Sequence, residues 1–178
     1  MQFIGREAEL DALNTLYKRN SFQLFVLYGR RRVGKTTLLN AFCKGKDAIF
    51  YSAEQSNEKL NLEKFSERVF AFYGETTLSP FTSWTNALTY LNNRQKEKKL
   101  VLVLDEFPYL VRKNRALLSE WQHLIDHTLK DGKLFVVLCG SYMGFMEKEV
   151  LGSKSPLFGR RTGQLQLKSF DYKTSFRF

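Results

Sequence analysis

Gly29 and Gly34 bracket four residues and are followed at once by Lys35 and Thr36. This is the spacing G-x-x-x-x-G-K-[ST], in which glycines let the backbone curl until successive N–H groups point at phosphate oxygens. A helix starting at the second glycine would add the partial positive charge of its N-terminus. The reading puts Gly29, Arg32, Val33, Gly34, Lys35, Thr36 and Thr37 against a bound nucleotide. Lys35 is expected on the β and γ phosphates and the Thr36 hydroxyl on Mg²⁺. Since the backbone does the cradling, the Arg30-Arg31-Arg32 side chains are expected to point outward, with Arg31 or Arg32 the alternative candidates for a phosphate contact.

A second group of reactive side chains lies far away in sequence. The apolar run Leu100–Leu104 ends in Asp105 and Glu106, which places two carboxylates where ligands of open α/β sheets gather. Asp105 suits the Mg²⁺ shell, and Glu106 suits orienting and deprotonating an attacking water. Ser141 follows the run Leu134–Leu138 and is expected either to touch the γ-phosphate or its attacking water, or to cap a helix starting at Tyr142. Arg160 and Arg161 follow Gly159 in a loop, where they either sense γ-phosphate charge or form a solvated basic loop. His123 and His127 have a zinc-compatible spacing but no third ligand nearby, so Mg²⁺ is the single metal assigned. Cys43 and Cys139 read as small core residues.

These residues need a scaffold, and apolar periodicity supplies one. Helices are expected at Glu7–Tyr17, Lys35 to about Phe42, Glu58–Tyr73, Phe81–Asn93, Arg115–Leu129 and Tyr142–Leu151. Strands are expected at Phe22–Tyr28, Asp47–Ser52, Leu100–Leu104, Leu134–Leu138 and Gln164–Leu167, with a loop over Gly152–Gly163. Strands alternating with helices call for an α/β fold, a mostly parallel sheet with helices on both faces.

The 178 residues suffice for one well-buried core and not for two of ordinary size. No apolar run reaches the roughly 20 residues that span a bilayer, and the first residues lack a signal-peptide pattern, so a cytoplasmic protein is expected. The net charge of +10 would attract nucleic acid or another polyanion. The run Arg94–Lys99 reads as a solvated turn. The stretch Phe170–Phe178 carries no evident cap or core-closing element, which suggests a fragment of a longer protein.

Four segments together resemble one family: Phe3–Leu10 (FIGREAEL), Tyr28–Thr36 (YGRRRVGKT), Leu104–Leu110 (LDEFPYL) and Pro156–Gly163 (PLFGRRTG). They are similar to the archaeal-type ATPases, a group within the signal-transduction ATPases and related to the AAA-plus proteins. The resemblance implies a five-stranded three-layer core of order 5-1-4-3-2 over residues 1–178, an adenine pocket built partly by Ile4, Gly5 and Arg6, and Glu106 as catalytic base. Members usually continue into a helical lid, a winged-helix region and often a nuclease-like domain. The expected function is therefore Mg²⁺-dependent ATP binding and hydrolysis by the core of a switch protein, with ATP or ADP and the missing C-terminal domains as partners. The alternative is an ATP-regulated DNA-binding module of the replication-initiator kind.

Overall fold

The computed structural model describes residues 5–76, 78–95 and 97–169. In chain order the elements are α1 (Glu7–Tyr17), β1 (Gln23–Tyr28), α2 (Lys35–Cys43), β2 (Ala48–Ser52), α3 (Glu58–Tyr73) and α4 (Trp84–Arg94). They continue with β3 (Leu100–Asp105), α5 (Pro108–Lys113), α6 (Leu117–Leu124), β4 (Leu134–Gly140), α7 (Met143–Phe145) and β5 (Gly163–Gln166). Helix α6 runs on into a π turn over Ile125–Leu129, and α7 into another over Met146–Val150.

The five strands form one sheet of order β2-β3-β4-β1-β5 with every pairing parallel, the order that the family resemblance implied. Strands β1, β3 and β4 are buried along their whole length, which explains why they read as continuous apolar runs rather than alternating ones. Alternate residues nevertheless serve different faces. Leu24, Val26, Leu102, Leu104, Val136 and Leu138 pack under α3 to α6, whereas Phe25, Leu27, Val101, Val103, Phe135 and Val137 pack under α1 and α2. On the second face Phe135 lies fully buried 5.2 Å from Phe42 and 6.2 Å from Tyr17, ring centre to ring centre. Truncating such a ring to alanine costs about 3–5 kcal/mol.

Local signals set several boundaries. The Asn57 side chain accepts from Leu60 N–H at 2.8 Å to start α3, and Gly74 ends it in the left-handed conformation at φ 70°. Ser83 caps α4 through Asn86 N–H. Helix α2 differs, since no side chain caps it and its N-cap is Gly34 at φ 93°. Its first N–H groups are thus left facing the end of the sheet.

Several expectations need correction. A short helix, α5, starts at Pro108 where none was expected; proline at a first helical turn gives up an N–H that has no partner anyway. The helix expected from Arg115 starts at Leu117, and the stretch Tyr142–Leu151 is one short α-helical turn followed by a π turn rather than a continuous α-helix. The fifth strand is shifted by one residue, to Gly163–Gln166. The register brings Tyr28 beside Gly140 and Leu104 beside Leu138, so the segments after β1, β3 and β4 emerge together at the carboxyl edge.

Candidate functional site

The loop from Gly29 to Gly34 leaves β1 and turns into α2. Gly29 cannot be replaced without movement, because a Cβ there would lie 2.2 Å from the Leu167 carbonyl oxygen, just after the neighbouring strand β5. Arg32 and Gly34 both adopt positive φ, 64° and 93°, and so fold the loop back over the start of α2. At the centre of this curl lies Lys35, 7% exposed, whose ammonium donates to the carbonyls of Gly29 and Arg30 at 2.9 Å each. Two of its three donors thus brace the loop. Arg30, Arg31 and Arg32 are exposed, as expected of side chains that leave the cradling to the backbone, and Arg31 donates to the Tyr109 hydroxyl at 3.3 Å.

Strand β3 delivers the acids. Asp105 is buried, and its Oδ2 accepts from the Thr36 hydroxyl at 3.4 Å while its Oδ1 accepts from Glu106 N–H at 2.9 Å. That second bond supports Glu106 at φ 50°, a left-handed conformation that costs a non-glycine residue on the order of 1 kcal/mol. The turn aims the Glu106 carboxylate toward β4, where the Ser141 hydroxyl lies 2.8 and 2.9 Å from its two oxygens. Ser141 therefore does not cap the following helix, whose N-cap is Tyr142.

Behind Asp105 lies a residue that sequence reasoning assigned only to the core. The Cys139 thiol is pushed well up by burial, and further by the charge of Asp105 and a hydrogen bond with it. It stays protonated and backs the carboxylate from the protein side. The register makes this legible afterwards: Leu104 faces Leu138, so the next residues on each strand are neighbours.

Two clefts flank the loop. One of about 320 Å³ is lined by Arg31, Arg32, Gly34, Lys35, Thr36, Thr37, Asp105 and Glu106, and so brings most of the expected phosphate and metal residues, though not Gly29 or Val33, around one space. The other, of about 370 Å³, has apolar walls from Val33, Met143 and Leu167 and polar ones from Arg30, Gln166, Lys168 and Ser169. Met143 and Gln166 to Ser169 were not anticipated, because nothing in their types signals a site until β5 is laid beside β1. Of the segment expected to build an adenine pocket, Ile4 lies outside the described residues. Gly5 donates to Glu7 Oε1 at 3.0 Å. Arg6 is buried, pairs with Glu9 at 2.9 Å, and donates to the carbonyls of Val33 and Lys168, tying α1 to both walls of the second cleft.

Arg160 and Arg161 are the residues the structure keeps apart from the rest. Thr162 N–H bonds to Leu24 O at the start of β1, so the preceding arginines sit at the amino edge of the sheet. The loop leaves β1 at the other end, roughly 13 Å up the strand at about 3.3 Å per residue. Arg160 forks onto Asp126 at 2.9 and 2.6 Å, which holds the Asp126 carboxyl below its usual range, and Arg161 donates to Leu151 O at 3.0 Å. Within this chain their partners are thus Asp126 and the Leu151 carbonyl, away from the loop after β1. His123 and His127 are exposed, with ring centres 4.3 Å apart.

Known proteins resemble this chain in sequence and fold. The profile of the family described as ATPase domain predominantly from Archaea matches residues 3–178. An uncharacterized protein of Methanocaldococcus jannaschii, MJECL04, is 33% identical over 172 residues, which is 96% of this chain and 37% of that protein. Among solved structures, the Walker-type ATPase PABY2304 of Pyrococcus abyssi matches with a TM-score of 0.68 and 25% identity over 98% of this chain and 56% of that one. The ORC2 protein of Aeropyrum pernix, solved as ADPNP and ADP complexes, shares the fold with a TM-score of 0.67 at 16% identity over 99% of this chain and 50% of that one. The chain thus spans between about a third and about half of the proteins it matches. With residues 3–178 matched and the sheet order in place, the chain belongs to the family of ATPase domains found predominantly in Archaea.

Proposed function

We propose that this chain binds ATP with Mg²⁺ and hydrolyses it, serving as the engine of a larger switch protein. The observation that carries the reading is the convergence of Lys35, Thr36, Asp105 and Glu106 on one cleft, with Ser141 bonded to Glu106 from the neighbouring strand end. In this reading the N–H groups at the uncapped start of α2 and the Lys35 ammonium bind the phosphates, and the apolar second cleft takes the base.

The Thr36 hydroxyl and the Asp105 carboxylate are oxygen donors 3.4 Å apart beside the phosphate loop, a donor set suited to Mg²⁺. When bound, the ion neutralises charge on the phosphates and fixes their geometry. Glu106 takes the proton from an attacking water, and Ser141, already bonded to both of its oxygens, holds the carboxylate in line with the cleft. Glu106 lies on a strained turn whose direction Asp105 supports, so base and metal-side acid are positioned as a unit.

The test separates binding from turnover. Glu106→Gln is expected to keep ATP affinity within about threefold while hydrolysis falls by about 10²-fold or more. Unchanged hydrolysis in that variant removes Glu106 as the base. A second reading, an ATP-regulated DNA-binding module, draws support from the net charge of +10 and from the fold shared at 20% identity with the ORC1 protein of Aeropyrum pernix, which was solved in complex with DNA.

A further inference from the structure

The excess positive charge is not spread evenly. At the amino edge of the sheet, the loops that enter four adjacent strands each carry a pair of cations. Lys44 and Lys46 precede β2, and Lys98 and Lys99 precede β3. Lys130 and Lys133 precede β4, and Lys18 and Arg19 precede β1. The acids in the same loops are Asp47, Glu97 and Asp131. No ion pair within 4.0 Å engages any of these cations among the described residues; the ion pairs there involve Arg6, Lys59, Lys64, Arg94 and Arg160.

The pairs are physically continuous. Lys46 and Lys99 lie over the same Tyr17 ring, at 5.1 and 5.5 Å from its centre. Lys99 also donates to the carbonyls of Arg19 and Ser21, and Lys133 to that of Glu97, so neighbouring loops are tied together by their own lysines. Burial and the charge of Lys133 both lower the Lys99 pKa, the mark of like charges held close. Helix ends explain only part of this. Lys18, Lys44 and Lys130 are C-caps, where a cation meets the negative end of the helix. Arg19, Lys46, Lys98, Lys99 and Lys133 lie beyond the last turn, where that effect has faded.

We infer that the amino edge of the sheet, opposite the phosphate loop, binds the phosphate backbone of duplex nucleic acid without reading its sequence. Four strand positions at about 4.8 Å spacing span roughly 14 Å, against one duplex charge per about 1.7 Å. Cations spread over four loops suit a repeating backbone, whereas a small anion needs donors converging on one point. An anionic membrane is disfavoured because basic surfaces that bind one stably add apolar groups that insert. Among the described residues the exposed large apolar side chains are Leu60, Phe72, Leu78, Tyr142 and Phe158, none of them in these loops. This surface would give the DNA-binding reading a location, and it is independent of whether the chain hydrolyses ATP.

The test uses the 178-residue chain and a labelled random-sequence duplex of about 30 base pairs, followed by fluorescence anisotropy across about 50 to 200 mM salt. Lys18→Glu, Lys44→Glu, Lys98→Glu and Lys130→Glu are combined, since these four are exposed and their ammonium groups make no hydrogen bond among the described residues. Duplex affinity is expected to fall at least about tenfold, with the slope of log affinity against log salt shallower by about three or more. The matching Lys→Gln set, which keeps the loops free of new like-charge repulsion with the acids, should give an intermediate loss. Arg112→Glu with Lys113→Glu, at the carboxyl edge, should leave duplex affinity unchanged. Loss of binding in that second variant alone would overturn this surface while sparing DNA binding itself. Absence of duplex binding at low salt would overturn both. Binding to phosphatidylserine vesicles but not to duplex would also overturn the proposal.

Discussion

At the carboxyl edge of the sheet, few groups do much, and they do it through one another. Lys35 braces two carbonyls, Asp105 supports both Thr36 and the Glu106 turn, and Ser141 holds both oxygens of Glu106. At the amino edge the charged groups are more numerous, and most act alone. Arg160 and Asp126 form a pair, but the loop cations before β1 to β4 have no carboxylate partner among the described residues. The first edge works by direction, with hydrogen bonds of fixed geometry. The second works by accumulated charge, which has little directional demand. Single changes should therefore be severe and interdependent at one edge, mild and additive at the other.

The sharpest way to break this contrast is Lys35→Ala, which removes both the brace and the cation proposed to meet the phosphates. ATP affinity measured by titration calorimetry is expected to fall by about 10²-fold or more, equivalent to about 3 kcal/mol. Retained affinity would remove the phosphate-loop assignment. Next is Gly29→Ala. The new Cβ would meet the Leu167 carbonyl at 2.2 Å, so β1 and the segment after β5 must separate. A stability loss of about 2 kcal/mol by chemical denaturation is expected, with weaker ATP binding alongside. Ser141→Ala should slow turnover by about tenfold at little cost in ATP affinity, because it removes a hydrogen bond to a charged group that is worth about 1.5–3 kcal/mol. Ser141→Thr should restore much of the rate if the hydroxyl acts by positioning Glu106.

Smaller effects are expected at the other edge. Lys98→Gln alone should weaken duplex binding only a few-fold and reduce the salt slope by about one, and a second such change should multiply rather than abolish the effect. Smallest is Asp126→Asn, read by thermal unfolding across pH. Arg160 holds the Asp126 carboxyl below its ordinary range. Its contribution is thus fully present above the ordinary carboxylate pKa and fades as pH falls through the lower folded value. The parent should be slightly more stable than the variant at neutral pH, and the difference should close in acid.

The glycine loop between β1 and α2, the strand-end acids and the alternation of strands with helices were legible in the residues themselves. Each depends on spacing along the chain: glycines bracketing four residues, an apolar run ending in Asp105 and Glu106, helical periodicity in Glu58–Tyr73. Other features depend on which strands lie side by side. Ser141 meets Glu106, and Cys139 meets Asp105, because β4 lies between β3 and β1 in matched register. Arg160 and Arg161 sit far from the loop for the same kind of reason, since they enter β5 at its amino end. The lysine run Lys98–Lys99 read as a plain solvated turn, and only the adjacency of four loops turned it into part of a continuous surface. Local spacing determines what a segment can form and which chemistry it can carry. Long-range pairing, decided by burial on both faces of the sheet, determines which of those segments meet, and that remained for the tertiary structure to decide.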